Sequence, residues 1–137
     1  MFDVHAFGES ALAFLVAFVA AGVFTVVFKI VYQAVTPYDE AKLIREGNVA
    51  AAIALGGAVV GYVLPLASAL SHTVSLMEFA AWALLAGVIQ IAAFTLVRFT
   101  VLKDLIDRIE KAELAAGVYL ASISLAVGLL NAACMTS

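Results

Sequence analysis

Few side chains in this sequence could do chemistry, and they are scattered. The two histidines, His5 and His72, stand far apart and at no metal-ligand spacing. The single cysteine, Cys134, excludes an internal disulfide and any multi-cysteine metal site. There is no phosphate-binding glycine loop, no CxxC and no HExxH, and nothing points to a Ser–His–Asp arrangement. No catalytic residue, metal site or cofactor is expected, and the chain reads as a non-enzyme. Cys134 serves as a small packing residue or, in an oxidising compartment, forms an intermolecular disulfide.

The remaining polar candidates are embedded in apolar sequence. Gln90 lies twelve residues after Glu78 and eight before Arg98, at the middle of an apolar run. Its ordinary role there is an interhelical hydrogen bond; its sharper role is to line a polar path, with the Ser122 and Ser124 pair as companions. Asn131 sits in the run LLNAACMTS, at a depth similar to Pro65. A proline inside a helix frees the carbonyl one turn earlier, here Gly61, and the Asn131 amide is expected to donate to it. No ionisable residue falls at the centre of a run. Such residues usually mark ion or proton pathways, so a proton-coupled exporter built on an embedded carboxylate is disfavoured. Glu9 and Glu78 fall at run ends, where solvation accounts for them.

The elements that hold these residues are legible from the charges. Residues 10–28, 47–77, 79–97 and 114–137 carry none. Sixty-six per cent of the chain is apolar and 12% charged, against roughly 25% charged in a soluble domain. A bilayer span needs about 20 apolar residues. In lipid only helices and closed barrels satisfy the backbone, and segments such as AAIALGGAVVG lack the period-two alternation of a barrel strand. The sequence therefore predicts an all-α membrane domain over residues 1–137, with four spans near 10–35, 47–69, 77–101 and 111–134. A short turn is expected near 68–75. The first nine residues hold no Lys or Arg, unlike a secretory leader, so the first span is expected to be retained.

All seven basic residues, Lys29, Lys42, Arg45, Arg98, Lys103, Arg108 and Lys111, lie around the 1–2 and 3–4 connections. Excess Lys and Arg marks the cytoplasmic side; both termini are then expected outside. A net charge of −3 without a basic stripe gives no reason to expect a nucleic-acid partner. The connections have pattern of their own. In VLKDLIDRIEKAEL, at 101–114, Leu102, Leu105, Ile106 and Ile109 recur at helical spacing, so the helix either continues or lies along the membrane surface. In the first connection Pro37 breaks the chain after span 1, and Asp39 and Glu40 suit the first turn of a short helix.

An offset of 65 residues aligns Ala21-Gly22-Val23 with Ala86-Gly87-Val88, Asp39 with Asp104, and Leu64 with Leu129. This predicts two parallel two-helix repeats, about 10–70 and 77–134, related by an axis along the membrane normal. Lipid is as apolar as leucine, so close backbone approach must bring the helices together. Span 2 carries a stripe of small residues, Ala50, Ala54, Gly57, Gly61 and Ser68, with Pro65 a further packing candidate. Span 4 carries Gly117, Ala121, Ser124, Gly128 and Asn131 at spacings of four and three. Spans 2 and 4 are expected inside, and spans 1 and 3, richer in Phe and holding the one Trp, outside facing lipid.

The motifs TPYDE at 36–40, GNVAAAIALGGAVVGYVLPLASA at 47–69 and GLLNAACMT at 128–136 resemble the YjfL family of small bacterial inner-membrane proteins. The likeness runs in order over nearly the whole chain. It implies a tandem membrane repeat of unknown function. Neighbouring genes of that family, for phage-shock-type membrane proteins and ATP-grasp ligases, imply a role in envelope maintenance or stress. The leading expectation is an oligomeric scaffold whose charged connections, with Asp39, Glu40, Arg45, Arg108 and Lys111, dock a cytoplasmic or peripheral protein. The alternative is an oligomeric channel or transporter for an ion or small solute, past Gln90.

Overall fold

The computed structural model describes residues 2–36, 39–73, 75–101 and 104–135. Four long helices alternate in direction and are joined at one end by two short ones. They are α1 (Val4–Val35), α2 (Glu40–Arg45), α3 (Val49–His72), α4 (Leu76–Leu96), α5 (Leu105–Glu110) and α6 (Leu114–Cys134). A π-helical turn, Val97–Val101, extends α4. α1, α3, α4 with its extension, and α6 are each long and apolar enough to cross a bilayer. No strand occurs among the described residues. The expected four-span, all-α class holds. We call the end carrying α2 and α5 the basic end and the opposite one the termini end.

Local chemistry sets the helix starts. The Asp3 carboxylate accepts from the His5 and Ala6 amides, so α1 begins six residues earlier than expected. Asp39 accepts from Lys42, Asn48 from Ala51, and Ser75 from Met77 and Glu78, each satisfying amides that lack a helical partner. α3 continues to His72, so the expected turn shrinks to its last few residues. α1 ends at Val35 with Thr36 as its cap; Pro37, expected to break the chain here, lies outside the described residues, as do Leu102 and Lys103. The amphipathic pattern after Arg98 forms a separate helix, α5, rather than an extension.

The centre of the bundle is the parallel pair α3 and α6. Their backbones come so close that a Cβ placed on any of four glycines would overlap the other helix. Gly57 faces Ala121, Gly61 faces the Ser124 carbonyl, Gly117 faces the Ala50 carbonyl, and Gly128 faces the Gly61 carbonyl. At the last three a Cα–H stands where the Cβ would be and points at the carbonyl oxygen, a weak contact that recurs at close helix crossings. Burial follows the seam: 56% of the apolar window of α3 is buried, 39% of α6, 28% of α4 and 6% of α1.

The aromatic residues correct one expectation. Phe28, Phe79 and Phe94 are buried rather than facing lipid. Phe28 stacks on Tyr62 at 4.3 Å, Tyr32 meets Phe94 edge-on at 5.1 Å, and Phe24 meets Phe79 at 5.6 Å. These contacts join α1 to α3 and α4, and the Tyr62 hydroxyl donates to the Ala83 carbonyl at 3.1 Å. α1 and α4 carry aromatics because they must reach across a wider gap than the glycine seam.

Several features recur at the offset of 65 residues: the starts of α2 and α5, the starts of α3 and α6, and the positive φ of Gly47 and Ala112. The packing of the halves differs, however. α4 packs against both α3 and α6, whereas α1 packs against α3 and α4.

Candidate functional site

Two clusters gather the polar side chains. The first lies midway through the bundle, where α3, α4 and α6 meet. Gln90 is 5% exposed, and its Nε2 donates to the Ser124 carbonyl at 3.2 Å. Gly61 makes room for this contact, since a Cβ there would sit 2.6 Å from Nε2. Gln90 Oε1 is buried without a hydrogen-bond partner. The Ser68 hydroxyl donates to the Ala132 carbonyl at 3.1 Å, a further tie between α3 and α6.

Ser122 is not brought to this point. It is exposed and donates to Val118 of its own helix at 2.8 Å; residues two apart on a helix do not share a face. Asn131 corrects a second expectation. Its amide approaches the Ala86 carbonyl on α4, at 3.5 Å, and not Gly61. The reason is steric: Gly128 already covers the Gly61 carbonyl, and Asn131, three residues on, turns toward α4. Pro65 is buried within α3, which continues through it.

The Gln90 and Asn131 amides and the Ser68 hydroxyl bond across helices, and the seam beside them is closed by backbone contact. A cleft of about 420 Å³ between α1, α3 and α4 is apolar, walled by Phe24, Phe28, Tyr62, Leu84 and Ile91 among others. The histidines are engaged locally: His5 Nε2 lies 3.3 Å from Glu9, and His72 Nδ1 lies 2.8 Å from the Ser68 carbonyl. Among the described residues no group of three or more His, Cys, Asp or Glu could hold a metal.

The second cluster is at the basic end. On α5 and its flanks Arg108 bonds Asp104 at 2.8 Å and Glu113 at 3.3 Å, and Lys111 bonds Asp107 at 3.0 Å. The Arg108 guanidinium holds the Asp104 carboxyl below its ordinary range. These groups are largely exposed, so the pairs shape the surface and stabilise it little. Asp39 and Arg45 are exposed on the α2 side. Glu40 is not: it is 1% exposed, which removes it from the expected docking surface. Glu40 does fall in the first turn of a short helix, but α2 lies against α3 with Glu40 turned inward. Its Oε1 lies 3.0 Å from the Thr36 hydroxyl, and Oε2 has no hydrogen-bond partner. Burial pushes the carboxyl from its ordinary 4.5 up to about 7, with the Lys29 charge acting in the opposite direction.

Asn48 is a structural residue that the spacing of charges did not single out. Its Oδ1 caps α3, and its Nδ2 donates to the Ile109 carbonyl at 2.7 Å, tying α5 to the start of α3. An Asn directly before an apolar run is the available signal, as a helix cap. Thr36 gave no signal, because its partner is set by the turn between α1 and α2.

The fold and its polar residues thus define a multi-pass membrane protein: four apolar helices joined by backbone contact and embedded amides, with charge confined to the ends. The chain belongs to the family described as Domain of Unknown Function (DUF350), whose model matches residues 5–135. It is 38% identical over 128 residues to the UPF0719 inner membrane protein YjfL of Escherichia coli K12, covering 93% of this chain and 96% of that protein. The same figures hold for the protein of that name from Escherichia coli O157:H7. No solved structure matches. The membership agrees with the resemblance carried by the three motifs, and the relatives' name matches the membrane class.

Proposed function

We propose that this protein is a non-enzymatic, oligomeric scaffold of the inner membrane, acting in envelope maintenance or stress. It presents α2 and α5 to a cytoplasmic or peripheral protein. Both termini lie outside the cytoplasm, in keeping with the basic residues gathered at the other end. The observation that carries the reading is how the polar groups are used. Gln90, Ser68 and Asn131 join helices, and the seam beside them has no room for a side chain. What is left for a partner is the exposed charge of α5 and α2, and an apolar helix of 32 residues, α1, in which only Phe28 and Tyr32 are buried. At ~1.5 Å per residue α1 is ~48 Å long, beyond the ~30 Å needed to cross hydrocarbon. Its termini half, with Phe7, Leu12, Phe14 and Phe18, is exposed and suits contact with a second copy.

The reading is tested by cross-linking in native membranes through Phe14→Cys in a Cys134→Ser background. The expected result is a covalent dimer under oxidation, while a monomer at every protein level would remove the oligomer. Liposome flux assays across a panel of ions and small solutes complete the test. No flux is expected; flux that disappears in Gln90→Leu would make the protein a channel or transporter.

A further inference from the structure

At the junction of α1 and α2 the hydrogen bonds require one more hydrogen than an ionised side chain can supply. The Thr36 hydroxyl oxygen lies 3.0 Å from the Gln33 carbonyl and 3.0 Å from Glu40 Oε1. A threonine hydroxyl has one hydrogen to donate, and the Gln33 carbonyl has none. If Glu40 were a carboxylate, both acceptors would compete for that hydrogen. Its other oxygen, Oε2, would then be a buried charged atom with no donor, a costly arrangement. If Glu40 is protonated, both contacts are made. Its own O–H donates to Thr36, and Thr36 donates to Gln33. The one atom left over is then a neutral carbonyl oxygen.

The surroundings favour the same form. Glu40 is 1% exposed, Thr36 5% and Tyr32 1%. α1 brings Tyr32 and one charge, Lys29. α3, which packs against α2, offers only apolar residues over positions 49–61, after the neutral Asn48. α4 reaches this end through Phe94, edge-on to Tyr32, and its Arg98 lies over the Phe99 ring. On α2 and its flanks Asp39, Lys42, Arg45 and Glu46 are exposed. Among the described residues Lys29 is the cation that bears on Glu40, set against nearly complete burial.

We propose that Glu40 is a proton-binding site that latches α2 to the end of α1: protonated, it seats α2 in the bundle, and ionised, it turns to water and releases α2. The step is a bare proton exchange with solvent and needs no other reactant. Release would expose a face of α2 and open the basic end, so the site would couple local pH to whatever that surface binds. The latch stands on its own geometry, whether or not the scaffold reading holds. The raised carboxyl, at about 7, places the exchange in the neutral range.

The experiment uses the full chain in lipid nanodiscs, in a Cys134→Ser background, with a nitroxide at Lys42→Cys on the exposed side of α2. Spin-label mobility is followed as pH rises through 7. Mobility is expected to increase with a midpoint at about 7, and Glu40→Gln is expected to stay immobile throughout. Thr36→Val separates the two protonation states by sign. Removing the acceptor of the Glu40 proton lowers the midpoint, whereas removing a donor to a carboxylate would raise it. A raised midpoint, or a label whose mobility ignores pH in the unmodified latch, overturns the proposal. Infrared spectroscopy with ¹³C-labelled glutamate needs no Gln variant. A protonated-acid carbonyl band persisting above the range of ordinary carboxyls is expected, lost earlier in Thr36→Val. Its absence at pH 6 would likewise overturn the assignment.

Discussion

Gln90 of α4 donates its side-chain amide to the Ser124 carbonyl of α6 at 3.2 Å, across the Cα of Gly61 on α3. Three helices therefore share one contact in the middle of the bundle. The Ser124 carbonyl is already the acceptor position of a helical turn, so Gln90 uses its second lone pair and leaves the α6 ladder whole.

Gln90→Leu removes this bond and also the unpartnered Oε1, two effects of opposite sign. A destabilisation of about 1 kcal/mol is expected, within the ~0.6–1.7 kcal/mol range of interhelical bonds in membranes. Asn131→Leu, which removes a bond of 3.5 Å, should cost less. Reversible unfolding in mixed micelles, or steric trapping in bicelles, measures both.

The seam glycines should respond by position and not by type. Gly61→Ala, Gly117→Ala and Gly128→Ala each place a Cβ into backbone of the facing helix and should cost about 1–3 kcal/mol as overpacking. Gly56→Ala, with nothing within 4 Å, is the control and should be neutral or slightly stabilising. Equal effects at positions 56 and 61 would mean that the α3–α6 register is wrong.

Asn48→Ala should be more damaging than its size suggests. It loses a cap bond of 3.0 Å to Ala51 and a bond of 2.7 Å to Ile109, each worth ~1 kcal/mol. Together they predict a loss of about 2 kcal/mol, with faster hydrogen exchange at the start of α3. Asn48→Asp should restore most of the cap and not the tie to α5.

Stability should depend on pH through Glu40. The folded chain keeps this proton up to about pH 7, whereas the carboxyl's ordinary value is 4.5. Between those values the folded state holds more protons than the unfolded one, so stability falls as pH rises. The contribution is complete below 4.5 and is lost as pH rises through about 7, a change on the order of 3 kcal/mol. Unfolding curves across that window should slope downward, and Glu40→Gln should flatten them.

What the sequence determined by itself is what local chemistry controls. Charges bound the four apolar runs, because a charge inside hydrocarbon is too costly to keep. Asp39 and Asn48 start helices with their own side-chain oxygens. The stripes around Gly57, Gly61, Gly117 and Gly128 mark where two backbones can touch. What the sequence left open is the rotation of each helix, since in lipid every face can be apolar and no polar side points the way. Tertiary packing decided it. It buried Phe28 and Phe94 in an aromatic layer that composition assigned to lipid. It turned Asn131 to Ala86, because Gly128 had taken the Gly61 carbonyl. It also turned Glu40 of α2 inward to the Thr36 hydroxyl at the end of α1, a pairing that neither helical periodicity nor charge count encodes.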